Sequence, residues 1–284
     1  MAIFCITITW NGKHHLEKLY PTFKKARERL SSHAHLFWFI RDNGSTDGTE
    51  DLIKSWHDDY IYCHEAGHNR DNYAKCNNDL IEEINKNNPV NQEKDYYLFL
   101  NNDIEIKDPA SINYMLDIAE KDNTVGAVGA KLYYPGPTKM IQHFGVCGSP
   151  KHGNLVWNAF SGQHDSIHTQ KDRLFQAATG AFLLVRAKCF HALECGKMDE
   201  RYIYCFDDVC MGFDISIRQG MNIVCCAKTN IIHYESATLA KNPINKMFMG
   251  QNVNLLKKQW GGKFKLDYLD YMDNPEYNIY KRGE

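Results

Sequence analysis

Between residues 2 and 106 short apolar runs alternate with longer amphipathic stretches, and this alternation limits the fold more than any other feature of the chain. AIFCITIT at 2–9 has the β-branched character of a buried strand, and residues 14–30 place Leu16, Leu19, Tyr20, Phe23 and Leu30 near helical spacing. LFWFIR at 36–41 reads as a second strand, DNGSTDGT as a turn, and residues 50–56 as the start of a second helix. A short strand at 60–64 precedes the polar HNRDNYAKCNN, a helix over 73–87 and the polar loop NKNNPVNQEKD. YYLFLNNDIEI then begins as a strand buried on both faces and runs directly into amide and acidic residues. Repeated βα units predict a mostly parallel sheet flanked by helices. Ligands on such sheets gather at the carboxyl ends of the strands, where DNGSTD and NND both fall.

From about residue 110 the rhythm changes to a helix at 110–121, a strand at 125–133, a Gly/Pro/His-rich stretch to about 170 and a strand at 181–186. No internal repeat, low-complexity tract or linker interrupts the chain, so a boundary near 104 divides lobes of one domain. A length of 284 residues can bury a sizeable core, and 43% hydrophobic with 24% charged residues is ordinary for a globular protein. No run has the length of a membrane span. A formal charge of −2 argues against a protein whose main work is to grip nucleic-acid phosphates. Lys24, Lys25, Arg27 and Arg29 form one local basic patch and Lys257, Lys258, Lys263 and Lys265 another, each read first as solvated surface. MAIFCITITWNG lacks the basic n-region and cleavage site of a signal peptide, which places the chain in the cytoplasm, a host's if it is viral, with its ten cysteines reduced. No C-x-x-C pair is present, and Cys225 and Cys226 fall in an apolar run as core thiols.

Three clusters carry chemistry. Asp42, Asn43, Gly44, Ser45 and Asp47 follow the second strand, where carboxylates can accept hydrogen bonds from a nucleobase or ribose and the glycine admits close backbone approach. A polar turn without a ligand is the alternative. Asn101, Asn102 and Asp103 end a buried strand, and a carboxylate there is a hard-oxygen ligand for Mn2+ or Mg2+ bridging the phosphates of a nucleotide diphosphate. An acidic strand end that caps the next turn is the alternative. His233, at the end of another apolar run, can complete such a metal site with Asp103. Asp207 and Asp208 lie between aromatic and apolar residues in YIYCFDDVCMGFD, where burial and mutual repulsion raise at least one pKa, as suits a general base. The acidic first turn of a helix is the alternative. His143 in QHFGV is read as structural before functional.

Together these segments resemble the family 2 glycosyltransferases of the GT-A fold, particularly their rhamnosyltransferase-like branch, from about residue 3 to residue 262. The pieces come in the family's order: ITITWNG, IRDNGSTDGT, NRDNYAKCNN, LFLNNDIEI, ATGAFLLVRAKCF, MDERYIYCFDDVCM, IIHYESA and NVNLLKKQWGG. The resemblance implies one α/β domain with a Rossmann-like nucleotide-sugar-binding half over 1–104, an acceptor and catalytic half over 105–240 and a C-terminal helical extension over 241–284. It implies that Thr9, Asn11 and Asp42 hold the base and ribose, with Asn43 and Ser45 in the same turn. Asn69 and Asn77 then support the donor beside Asn101 and Asn102, Asp103 binds the metal, and His233 reaches the diphosphate or its metal. Gly180 lines the acceptor side, and Asp208 is the general base, with Asp207 next to it. The chain departs from the family at Cys210, where an acidic residue is usual, and at Asp71, where a glycine is typical; both positions are expected near the site.

The implied activity is that of an inverting, metal-dependent hexosyl- or pentosyltransferase. It takes a UDP-, dTDP- or GDP-linked sugar to a hydroxyl acceptor, first a saccharide or glycan, with a protein side chain or a modified DNA base as alternatives. A DNA acceptor would require the two basic patches to flank the site and binding to weaken steeply with salt. A nucleotidyltransferase would carry a Gly-rich basic loop where this chain has TWNGKHH, with one glycine and one lysine. A non-catalytic nucleotide-sugar or glycan-binding module would bind donor without turnover.

Overall fold

The computed structural model describes residues 1–69, 71–203, 205–234 and 243–281, without the side chains of 243–247. Arg70, Tyr204 and residues 235–237 of the motifs quoted above, and the expected boundary at 240, lie outside the described residues. The elements run β1 (Ala2–Thr9), α1 (Lys13–Glu28), β2 (His35–Asp42), α2 (Thr49–Ser55), β3 (Ile61–Glu65), α3 (Tyr73–Asn87), β4 (Tyr96–Leu100) and β5 (Ile104–Ile106). There follow α4 (Ser111–Lys121), β6 (Val125–Tyr133), β7 (Ile141–His143), β8 (Val146–Ser149), β9 (Leu155–Asn158), β10 (Arg173–Phe175), β11 (Phe182–Arg186) and α5 (Ala187–His191). The chain closes with α6 (Asp207–Phe213), β12 (Asn222–His233), α7 (Pro243–Trp260) and α8 (Tyr268–Asp273).

The period-2 alternation of β1 sorts its side chains into two apolar layers. Ile3 and Cys5 join Trp38, Ile40, Leu98 and Leu100 beneath Leu16, Leu19 and Phe23 of α1 and Ile112 and Met115 of α4. Phe4 and Ile6 join Phe39, Tyr97 and Phe99 against Leu80, Ile81 and Ile84 of α3 and Phe190 of α5. Because both faces are covered, β4 and β6 are buried along their whole length, as their continuous apolar runs predict.

The sheet has the strand order β10-β12-β6-β11-β4-β1-β2-β3, with β5 paired to β12 and β7 to β6. The block β4-β1-β2-β3 is parallel throughout, as the βα alternation predicts. β11 then enters antiparallel to both β4 and β6, so the complete sheet is mixed. Its reversal brings the segment before β11 back to the carboxyl end of β4. The Gly/Pro/His-rich stretch is not structureless: it supplies β7 and the separate hairpin β8-β9. The C-terminal segment packs on the core, with Tyr280 hydrogen-bonded to Asp122 at 2.9 Å and the buried Arg173 donating to the Tyr277 carbonyl at 2.5 Å.

Candidate functional site

Parallel register sets Thr9 beside Asp42, and the β1–β4 pairing carries the same level on to Asn102. Asn102 Nδ2 donates to Thr9 Oγ1 at 3.0 Å, closing that line. The turn after β2 is laced from within. Asp42 Oδ1 accepts from the Ser45 backbone at 3.1 Å and from its hydroxyl at 2.5 Å. Ser45 Oγ accepts from the Asn11 N–H at 2.7 Å, and Asn11 Oδ1 accepts from the Thr46 N–H at 2.8 Å. Asn11 has φ of +49°, a left-handed conformation that asparagine tolerates because its short amide bonds locally. Asn43 accepts from Arg41 at 3.0 Å and donates to the exposed Asn69 at 3.3 Å. Asp71 sits outside this turn in an ion pair with Arg41 at 2.9 Å.

Antiparallel pairing of β5 with β12 places His233 opposite Ile104, one residue from Asp103. His233 Nε2 stands 3.1 Å from Asp103 Oδ1. Its other ring nitrogen lies 2.7 Å from Gln142 Oε1, while Gln142 Nε2 donates to the His233 carbonyl at 3.3 Å. That arrangement makes Nδ1 the donor and leaves the Nε2 lone pair beside the Asp103 carboxylate and the Asn101 amide, where a cation could be held. Two ligands on adjacent positions of a shell with bonds of about 2.1 Å stand about 3.0 Å apart, which the pair matches. Among the described residues no group of three or more His, Cys, Asp or Glu is arranged to hold a metal. A divalent cation here would take Asp103 and His233 and fill its remaining positions from phosphate and water, the usual habit of such ions beside a diphosphate. His15 also lies in the field of this pair: burial and His14 push its pKa down while Asp103 pulls it up.

The carboxylate pair opens α6 directly after Phe206, whose φ of +71° is an outlying conformation for an aromatic residue. Both aspartates therefore sit in a helical first turn, and both act electrostatically on the Tyr73 phenol. Asp208 Oδ2 accepts from the Gly180 N–H at 2.9 Å and Oδ1 from its neighbour Val209 N–H at 2.8 Å. Burial raises its pKa, and the amides of Gly180 and Val209 with the Thr179 side chain oppose the rise. For Asp207, burial and the charge of Asp208 outweigh the backbone N–H groups of Asp207 and Asp208 and push it up to about 8. Its Oδ2 is buried without a hydrogen-bond partner among the described residues, as is Asn77 Oδ1, although Asn77 Nδ2 donates to the Tyr73 carbonyl at 2.8 Å. A Cβ on Gly180 would come within 3.3 Å of Asp208 Cβ, so the glycine allows the close approach.

Helix α3 and its cap bind the loop before α6. Asn78 donates to the Met198 carbonyl and accepts from the Met198 N–H, both at 2.9 Å, and Asn72 donates to the Glu200 carbonyl at 2.6 Å. These bonds hold the loop that delivers α6. His143 is structural: its Nε2 accepts from the N–H groups of Gly145 and Thr179, both at 3.1 Å, and burial lowers its pKa to about 4. Cys210 turns away from the carboxylates into the core, where the Trp260 indole donates to its sulfur at 3.3 Å. Sequence reasoning missed Tyr73, His15, Gln142 and Asn78; only their neighbourhood in motif segments signalled them.

No family model matches the chain. It is 37% identical over 145 residues to the O-antigen biosynthesis protein RfbC of Myxococcus xanthus, covering 50% of this chain and 11% of that protein. It is 26% identical over 212 residues to the uncharacterized protein y4gI of Sinorhizobium fredii, covering 72% of this chain and 21% of that one. The chain thus spans only 11% and 21% of the length of these curated relatives. Among solved structures it is similar to the mannosyltransferase PcManGT of Pyrobaculum calidifontis, in complex with GDP-Man and Mn2+, with TM-score 0.60 and 13% identity over 95% of this chain and 68% of that one. It is similar to GalNAc-T7 with UDP, GalNAc and Mn2+, with TM-score 0.58 and 11% identity over 82% of this chain and 44% of that one. It also resembles S. aureus TarS, with TM-score 0.54 and 11% identity over 96% of this chain and 78% of that chain. The fold is that of the GT-A glycosyltransferases, as the motifs led us to expect.

Proposed function

We propose, from this fold and site, that the chain transfers a sugar from a nucleotide-diphosphate sugar to a hydroxyl acceptor, with Mn2+ or Mg2+ and with inversion at the anomeric carbon. The observation that carries the reading is the meeting of Asp103 and His233 at 3.1 Å at the carboxyl end of the parallel block, beside the laced turn of Asp42 and Ser45. Proteins of the same fold solved with GDP-Man or UDP and Mn2+ support it. A bound cation supplies Lewis-acid neutralisation of the leaving diphosphate. Thr9, Asn11, Asp42 and Ser45 form the floor for base and ribose, with Asn43 and Asn69 beside them. Asn77, Asn101 and Asn102 supply amides on the donor side, and Gly180 leaves room for the acceptor next to Asp208.

The carboxylate pair divides its work by environment. Burial and the neighbouring charge favour the protonated form of Asp207, while the amide N–H groups bound to Asp208 favour its ionised form. An ionised Asp208 can take the acceptor's hydroxyl proton as the oxygen attacks, and a single-step inverting displacement needs one such base. A saccharide acceptor is preferred over DNA because the 24–29 basic patch closes the 16-residue α1, whose first residue follows the site, about 20 Å away along the helix. Arg27 there is bound to Asp58 at 2.6 Å.

Melting curves with UDP, dTDP and GDP, each with and without Mn2+, test the reading, since a ligand at 100 times its Kd stabilises the native state by about 2.7 kcal/mol. One nucleotide should raise the melting temperature only with Mn2+, and Asp103→Ala should abolish the shift. A shift that survives Asp103→Ala removes the metal assignment, and turnover that never accompanies binding favours a recognition module.

A further inference from the structure

Tyr73 is the first residue of α3, after Asn72, whose side chain caps the helix by accepting from the Lys75 N–H at 2.8 Å. Its ring is half-buried and its hydroxyl enters the space between the donor side and the carboxylate pair. The hydroxyl donates to Asn101 Oδ1 at 3.3 Å, and Asn101 Nδ2 in turn faces His233 Nε2 at 3.4 Å. A Cβ placed on Gly180 would stand 3.8 Å from the same hydroxyl and 3.9 Å from Asp208 Oδ2, so the phenol forms the wall between Asn101 and the base. Burial, then the charges of Asp207 and Asp208, keep the phenol un-ionised, and it remains an O–H donor at any working pH.

An asparagine amide presents an acceptor at one end and two donors at the other, and its hydrogen bonds decide which end faces where. A donor fixed at Asn101 Oδ1 turns the amide N–H groups toward His233 and the place of the diphosphate. Without it, the amide is free to flip and set a carbonyl oxygen against the anionic donor. We propose that Tyr73 is a positioning residue of the donor site, whose hydroxyl holds Asn101 so that its N–H groups face the metal–diphosphate side. This rests on the nucleotide-sugar reading above and gives a role to a residue of the NRDNYAKCNN segment to which the resemblance assigned none.

Calorimetric titration of the full chain with UDP, dTDP and GDP in the presence of Mn2+ first identifies the nucleotide that binds; Tyr73→Phe, Asn101→Ala and the double variant are then titrated with it. Tyr73→Phe should weaken Mn2+-dependent binding about 3- to 10-fold, the worth of one neutral hydrogen bond, with an unchanged melting temperature. The double variant should bind no more weakly than Asn101→Ala alone, because the phenol acts through that amide. Asn101→Asp, which keeps an oxygen for the phenol and removes the N–H groups, should lose binding with Tyr73 intact, a check that does not depend on the folding of the Tyr73 variant. Additive losses in the double variant, undiminished binding by Asn101→Asp, or unaltered nucleotide affinity in Tyr73→Phe with only turnover reduced would each overturn the proposal while leaving the nucleotide-sugar reading in place. Failure of the unmodified chain to bind any of the three nucleotides would overturn that reading and this proposal with it.

Discussion

The turn after β2 and the first turn of α6 are both acidic and each holds a buried carboxylate, Asp42 and Asp207, yet they meet the cost of burial in opposite ways. In the turn, Asp42, Ser45, Asn11 and Thr46 satisfy one another through bonds of 2.5 to 3.1 Å, so the surface is finished before any ligand arrives. In α6, Asp207 Oδ2 has no partner among the described residues, two carboxyl groups adjoin, and the backbone just before them sits at φ of +71°. A surface that only binds can be preorganised to completion. On the proposed function, the carboxyl group that adjoins the base Asp208 is left with an unfinished valence, and that costs stability.

The sharpest way to break this contrast is Asp208→Asn. It keeps the shape and removes the basic oxygen, and turnover should fall at least about 10²-fold with donor affinity nearly unchanged. Steady-state kinetics with a nucleotide titration check it, and near-normal turnover would hand the role to Asp207. The second test is thermodynamic. Asp207 is raised from its ordinary 3.8 to about 8 in the fold, so the folded state holds its proton more tightly than the unfolded chain. Its contribution to stability is therefore complete below about pH 4 and is lost as pH rises toward 8, with a slope of at most about 1.4 kcal/mol per pH unit. Denaturant melts of Asp207→Asn should show that slope flattened between pH 5 and about 8, and an unchanged slope would remove Asp207 as its source. The smallest effect belongs to the finished side. Ser45→Ala deletes one donor and one acceptor from a laced turn and should cost about 1 kcal/mol of stability, with a weaker nucleotide affinity and an unchanged kcat. A loss of kcat there would mean that the turn also serves the chemistry.

The elements that were legible in the sequence are those whose signal is local. The helix over 73–87 and the strand over 125–133 appear with those bounds, because apolar periodicity and flanking polar residues act within a few turns of the chain. The acidic and amide residues at the carboxyl ends of β2 and β4 were legible for the same reason, whereas Thr9 and Asn11 at the end of β1 were marked only by the family resemblance. The stretch from 134 to 170 was not, since β7 and the hairpin β8-β9 are short and draw their stability from partners elsewhere. Cys210 shows the limit of reading by position. Expected near the site beside the carboxylates, it points into the core against Trp260, because consecutive residues of a helix face different directions. His143, for which the sequence left a functional role open, serves the backbone of Gly145 and Thr179.

The sequence by itself determined the βα alternation, the two-layered core that follows from period-2 strands, and the kinds of side chain waiting at the strand ends. Only the tertiary structure decided which of them meet. The antiparallel return of β12 against β5 sets His233 beside Asp103, more than a hundred residues distant in the chain, and the reversal at β11 brings Gly180 to Asp208. Such encounters depend on strand register across the sheet, which is settled by burying whole faces at once, and no local pattern of residues encodes that choice.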